Sequence, residues 1–335
     1  MLRRKLIPVW IGIIALLILY SGETLAQTTW IVDQGGTEDF TSIQDCIDAA
    51  VNGDTCQVNQ GTYFENINFL GKNISVVSTS GREVTIIDGS AAGSVVIFEN
   101  SETEDAVLDG FVIREGYADY GGGIRCEYSD PTITNCTISN NSAATGGGIS
   151  CTDDSDLTIT NCTISNNSAA TGGGINSSAY SYPTITNCTI SGNTTTDYGG
   201  GVTCDFSSPT ITNCVISGNT ATDYGGGVSC HYSSPTITNC VISGNSATLY
   251  GGGIDYSSSS PTITSCTISG NTAALGGGIS CLGGSGSIED SAISNNSAIV
   301  GGGIASCDRK LSIDLRHLFP EFKQQPPARH RSPQL

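Results

Sequence analysis

Apolar residues recur along this chain in short alternating runs, with none of the three-to-four spacing of a long amphipathic helix. The segment Pro-Thr-Ile-Thr-Asn-Cys-Val-Ile-Ser-Gly-Asn at 209–219 returns unchanged at 235–245. Its apolar runs are four to five residues long, rich in Thr, Ile and Val, and bounded by Asn, Gly and Pro, which is strand chemistry. Parity places the corners. Ile211 and Cys214 are three apart, so a single strand cannot point both inward. The chain must turn between them, and Asn213 stands there, a residue that tolerates the left-handed backbone of such a corner. Cys214 and Ile216 share a parity, as do Val202 and Cys204. Each unit is therefore read as three short strands separated by an Asn corner, a Gly-rich turn and a Ser/Pro turn.

Gly-Gly-Gly begins at residues 121, 146, 172, 199, 225, 251, 276 and 301, at intervals of 25 to 27. A period in this range marks a solenoid whose units bury a core only by stacking. Three short strands per turn predict an all-β, single-stranded right-handed parallel β-helix, with rungs about 4.8 Å apart and the usual handedness of parallel connections. A leucine-rich horseshoe lacks its Leu-x-x-Leu-x-Leu pattern. A calcium roll is a near miss, because Ile288 stands where Gly283-Gly284-Ser285-Gly286-Ser287 would need an Asp to follow. Stacked rungs turn equal positions into columns. Asn135, Asn161, Asn187, Asn213 and Asn239 form one, continued by Ser265, and are read as structural. Cys136, Cys162, Cys188, Cys214, Cys240 and Cys266 form another. Cys126, Cys151, Cys204, Cys230 and Cys281 form a third, interrupted at Ser177 and Tyr256. Two readings stay open for the thiols: bridges within a rung (Cys126–Cys136, Cys204–Cys214, Cys230–Cys240), or buried free thiols acting as small hydrophobes.

The chain ends differ from the repeat. Residues 1–26 have a basic start at Arg3, Arg4 and Lys5, an apolar core from Leu6 to Tyr20, and small residues before a cut near Ala26. This pattern predicts a secretory signal, hence a secreted or cell-surface protein with no membrane span in its mature form. Residues 27–307 are assigned to the β-helix, irregular over 27–115 and regular over 116–307. Thr41-Ser42-Ile43-Gln44 fits a capping box, and the Ile43, Ile47, Ala50 stripe predicts a short helix over 41–51 covering the open end of the core. Cys46 and Cys56 are placed to tie that helix to a strand. From Asp308 a basic, Pro-rich tail runs to Leu335, read as disordered, with a helical cap over 310–319 as the alternative.

Charge narrows the partners. Of 335 residues only 13% are charged, and the formal net charge is −18. Between Gln27 and Asp308 the bases are Lys72, Arg82, Arg114 and Arg125 against 28 acids, a net −24. Nucleic acid is excluded as a main partner, since phosphate binding needs a basic footprint. An anionic polysaccharide would need bridging cations such as Ca²⁺.

The opening Asp39-Phe40-Thr41-Ser42-Ile43-Gln44, followed by Gly61-Thr62-Tyr63-Phe64-Glu65-Asn66-Ile67, resembles the start of the pectate-lyase and pectinesterase superfamily of right-handed β-helices. The central repeats are similar to those of the polymorphic outer membrane proteins, whose Gly-Gly-Ala-Ile and Phe-x-x-Asn motifs appear here as Gly-Gly-Gly-Ile, at Gly172 to Ile175, and Ile-x-x-Asn, at Ile190 and Asn193. The resemblances cover about residues 30–307 and imply the fold. Acting on pectin-like polysaccharide is what the first implies, and adhesion what the second implies. The catalytic motifs of the pectin enzymes have no counterpart here.

Two surface features carry candidate chemistry. Arg125 points outward beside Glu127, with Asp153, Asp154 and Asp156 on the next rung. Arg125, Asp153 and Asp154 could serve a lyase, and Glu127, Asp153, Asp154 and Asp156 could hold Ca²⁺; a solvated acidic turn is the plainer reading. The second feature is aromatic. Tyr198, Tyr224 and Tyr250 precede the triplet on three consecutive rungs, with Asp197 and Asp223 beside the first two, and Phe206 and Tyr232 pair beyond the cysteine column. Rings beside acids at a regular rise suit a glycan; mutual shielding by stacked tyrosines is the competing account. The sequence thus points to a non-catalytic adhesion or glycan-contact scaffold binding a polysaccharide or a host or cell-surface glycan. The alternative is a polysaccharide lyase or glycoside hydrolase.

Overall fold

The computed structural model describes residues 27–306 and the backbone of 312–313. The predicted signal at 1–26 and most of the tail lie outside the described residues. Within them the chain winds as a parallel solenoid, with every strand ladder parallel and in register from rung to rung. Four sheets of twelve, ten, ten and eight strands run along its sides.

The rung from Ile124 shows the plan. Ile124–Glu127, Thr132–Thr134 and Thr137–Ser139 are the three expected strands. A fourth, Ser142–Thr145, adds a side that the sequence pattern left as a polar connection. It buries only an alanine, Ala143, against the core, so it carries little apolar signal. The interior is a set of columns: Leu108, Ile133, Ile159, Ile185, Ile211, Ile237, Ile263 and Ile288 are all buried in one register.

The expected Asn corners exist. Asn135, Asn161, Asn187, Asn213, Asn239 and Ser265 all have φ between 50° and 55°. They are exposed, and their amides link at 3.2 Å between Asn213 and Asn187. The column that binds the solenoid together is a different one, at the next corner. Asn141, Asn167, Asn193, Asn219, Asn245, Asn271 and Asn296 point inward. Asn193 donates its backbone N–H and its Nδ2 to Asn219 Oδ1, both at 3.0 Å, and Asn219 Nδ2 donates to Ile190 O at 2.9 Å. Each amide so satisfies groups on three rungs, which is what keeps a buried polar column from destabilising the core.

The triple glycine is dictated by the same closeness. A Cβ on Gly226 would stand 2.4 Å from Ser246 O, and one on Gly227 2.5 Å from Gly253 O. Gly225, at φ 62°, folds its backbone over Ser229. The triplet therefore lies directly on the outer side of the cysteine sheet.

At the N-terminal end the helix spans Ile43–Ala49, with Ser42 as its cap. Ser42 Oγ accepts from Asp45 N at 3.0 Å, and the Glu65 carboxylate accepts from Ile43 N and Gln44 N. Ile43 and Ile47 are buried over the first rung, and Cys46 is bonded to Cys56 of the strand Thr55–Val58. The other described cysteines are free and buried. The within-rung bridges Cys126–Cys136, Cys204–Cys214 and Cys230–Cys240 are not formed, because the thiols stack up the columns and donate to carbonyls, as Cys136 Sγ does to Thr134 O. At the far end, Ser312–Ile313 pairs in parallel with Ser287 and Ile288. The sheet thus runs past 307 at Ser312–Ile313, and the rest of the cap expected over 310–319 lies outside the described residues.

Candidate functional site

Three consecutive rungs depart from the plan. Between the buried Asn and the triplet most rungs have four residues, such as 142–145 after Asn141. After Asn193, Asn219 and Asn245 there are five, ending in Tyr198, Tyr224 and Tyr250. The extra residue bulges the chain: Asp223 N and Tyr224 N both reach Asp197 O, and Leu249 N and Tyr250 N both reach Asp223 O. The fourth strand shrinks to two residues there, as in Thr220–Ala221. Tyr198, Tyr224 and Tyr250 continue as single parallel bridges. The rings of Tyr224 and Tyr250 stack with centroids 5.2 Å apart and 7° between planes. Mutual shielding therefore holds for the faces within this stack, while the edges and hydroxyls remain for a ligand.

The displaced tyrosines stand away from the outer face of the cysteine sheet and leave a cleft of about 310 Å³. It is lined by Tyr198, Tyr224 and Tyr250, by Ser229, Cys230 and His231 of one strand, and by Asp255, Ser257 and Leu282 of the next two rungs. Asp197 and Asp223 do not line it; their backbone carbonyls build the bulge instead.

Asp255 was missed by the sequence reading. Parity puts it on the outer face of Ile254–Ser257, in a column with Thr203, Ser229 and Ser280, and an outward Asp reads as solvated. The triplet covers that column, so Asp255 is only 4% exposed. Its Oδ1 and the neighbouring Ser280 Oγ are buried with no partner in hydrogen-bond geometry. Burial pushes the carboxyl up to about 6, against the opposing effects of the Ser280 hydroxyl and His231. The available signal was chemical: a carboxylate whose neighbours in the column, Thr203, Ser229 and Ser280, are small and neutral.

Beside the cleft, His231 Nδ1 lies 3.0 Å from Asp205 Oδ1, one rung below. Phe206 and Tyr232 stack at 5.0 Å, as their pairing in sequence suggested, and His231 packs on Tyr232 at 4.4 Å. Both aromatic residues hold a left-handed backbone, φ 49° and 47°. They sit on the corner past the strand, outside the cleft lining.

The acidic group around Arg125 is far less assembled. Arg125 is held between Glu99, at 3.2 Å, and Glu127. Asp153 accepts from Thr152 Oγ1, and Asp156 accepts from Tyr182 N. Asp153 and Asp154 occupy a left-handed turn. Among the described residues no group of three or more His, Cys, Asp or Glu is arranged to hold a metal ion.

Residues 56–246 and 212–313 match the family described as right handed beta helix region. The chain belongs to that family. No curated protein matches this β-helix in sequence. Among solved structures it is similar to pectate lyase Pel9A, at 12% identity over 86% of this chain and 79% of that one, with a TM-score of 0.47. It is also similar to carrot pectin methylesterase, at 12% identity over 85% and 88% with a TM-score of 0.40. The A-module of the Azotobacter vinelandii mannuronan C-5 epimerase AlgE4 aligns at 16% identity over 81% and 94%, with a TM-score of 0.43. Among the described residues no helix is long and apolar enough to cross a membrane.

Proposed function

We propose that this β-helix is an exported, surface or extracellular glycan-contact scaffold, and that the tyrosine cleft is where the glycan lies. The observation that carries the reading is the bulge repeated on three rungs, which turns an otherwise closed side of the solenoid into an aromatic-walled groove along its axis. About 310 Å³ accommodates roughly one or two sugar rings. Tyrosine hydroxyls and Ser229 offer donors and acceptors to sugar hydroxyls, and the ring edges offer apolar contact. A glycan panel on the exported chain tests this: Tyr224→Ala should weaken retention at least several-fold while the far-UV spectrum stays unchanged. Equal retention by variant and parent would discard the cleft as the binding site.

A second reading, catalysis on such a glycan, rests on Asp255. A carboxyl near 6 can both hold and give a proton around neutral pH. Against it, Asp255 is the one carboxylate lining the cleft among the described residues, whereas cleavage by paired carboxyls needs a second. An assay of reducing-end and unsaturated uronate release, with and without Ca²⁺, separates the two readings: release abolished in Asp255→Asn would favour the enzyme.

A further inference from the structure

We propose that the sugar held in the tyrosine cleft is an amino sugar, its ammonium group seated against Asp255 and edged by the tyrosines. This rests on the glycan reading of the same cleft and names the ligand class within it. A carboxyl that is 4% exposed, with an oxygen lacking any hydrogen-bond partner, is costly to keep unless something completes it. Neither Lys nor Arg lines the cleft, and the histidine there, His231, has Nδ1 engaged with Asp205. A cation brought by the ligand would complete the carboxyl beyond what the Ser280 hydroxyl and His231 supply. The tyrosine hydroxyls of the cleft can accept from an ammonium as well as from a sugar hydroxyl. A uronate would place its carboxylate against Asp255, on a chain already carrying a net −24 between residues 27 and 308. A neutral sugar would leave the carboxylate without a counter-charge.

The test is calorimetric titration of the whole chain at fixed pH and salt with three hexamers: fully deacetylated glucosamine, fully N-acetylated glucosamine, and galacturonate. The deacetylated hexamer should bind about tenfold tighter or better than its N-acetylated counterpart, the scale of a charge-assisted contact. Asp255→Asn should erase that preference, and Tyr224→Ala should weaken both glucosamine hexamers. Asp255→Ser, which carries the side chain of Ser229 and Ser280, provides a second variant if the amide fails to fold. A preference that persists in these variants would reflect the general acidity of the surface and overturn the assignment. Equal binding of the two glucosamine hexamers, or tighter binding of galacturonate, would also overturn it while leaving the glycan reading in place. Binding of none would end both.

Discussion

Replacing Asp255 by Ser should stabilise the protein, and by an amount that depends on pH. The folded state holds this carboxyl up to about 6, against 3.8 for the free group. A raised acid pKa means the folded chain keeps a proton that the unfolded chain has released. The penalty is absent below about pH 4, where both states are protonated. It grows as pH rises through the interval and is complete above about 6. Two pH units at about 1.4 kcal/mol each give roughly 3 kcal/mol. Asp54, held below 3.8 by the N–H groups of Thr28 and Val51, titrates beneath this window. Ser fits, because Ser229 and Ser280 occupy the same column on either side. Urea unfolding followed by circular dichroism at pH 4, 5, 6 and 7.5 reads the effect. The variant should match the parent at pH 4 and exceed it by about 3 kcal/mol at pH 7.5. A difference that is flat across pH, or a less stable variant at pH 7.5, would refute the burial argument and with it the case for Asp255 as a group awaiting a partner.

Other outcomes follow from the columns. Asn219→Ala strips partners from Asn193 N, Asn193 Nδ2 and Ile190 O and should cost about 3–5 kcal/mol, whereas Asn213→Ala at the exposed corner should cost about 1; urea midpoints compare them. Gly226→Ala forces a methyl to 2.4 Å from a carbonyl oxygen and should lose about 3 kcal/mol or more, read as loss of folded yield. Burial pushes the Cys126 thiol well above its ordinary value, so iodoacetamide should leave it unmodified until the chain unfolds, as mass spectrometry would show. Replacing both Cys46 and Cys56 by Ser should lower stability by about 2–3 kcal/mol, the value for a short closed loop, with helix Ile43–Ala49 the first element to lose amide protection.

The architecture was legible because period and parity are geometric. The interval of the triplets and the odd spacing of Ile211 and Cys214 leave few ways to wind the chain. The fourth strand escaped notice because Ser-Ala-Ala-Thr buries a single methyl group and has no apolar alternation to show. The buried Asn column was hidden for a related reason: Asn213 and Asn219 look alike in the text, and only the packed rungs reveal which amide faces inward. The cleft itself was half visible. Tyr198, Tyr224 and Tyr250 were identified, but the acids beside them serve the bulge through their backbone. The carboxylate that does line the wall, Asp255, lay in a position that strand alternation marks as outward. Alternation describes one sheet; it cannot announce that a glycine segment from the same rung lies on top of it.

Because adjoining turns present matching edges to one another, copy number can change without disturbing the joints. Removing 157–182 as a block would set Pro183 where Leu157 sat, with Thr184 beside Thr132 and Asn193 next to Asn141, in the pairing those neighbours already use. The molecule would shorten by about 4.8 Å, and the groove would arrive intact one step nearer the helical lid. Such a chain is a gauge whose length natural duplication or deletion can reset in whole increments, carrying its contact surface to a chosen height.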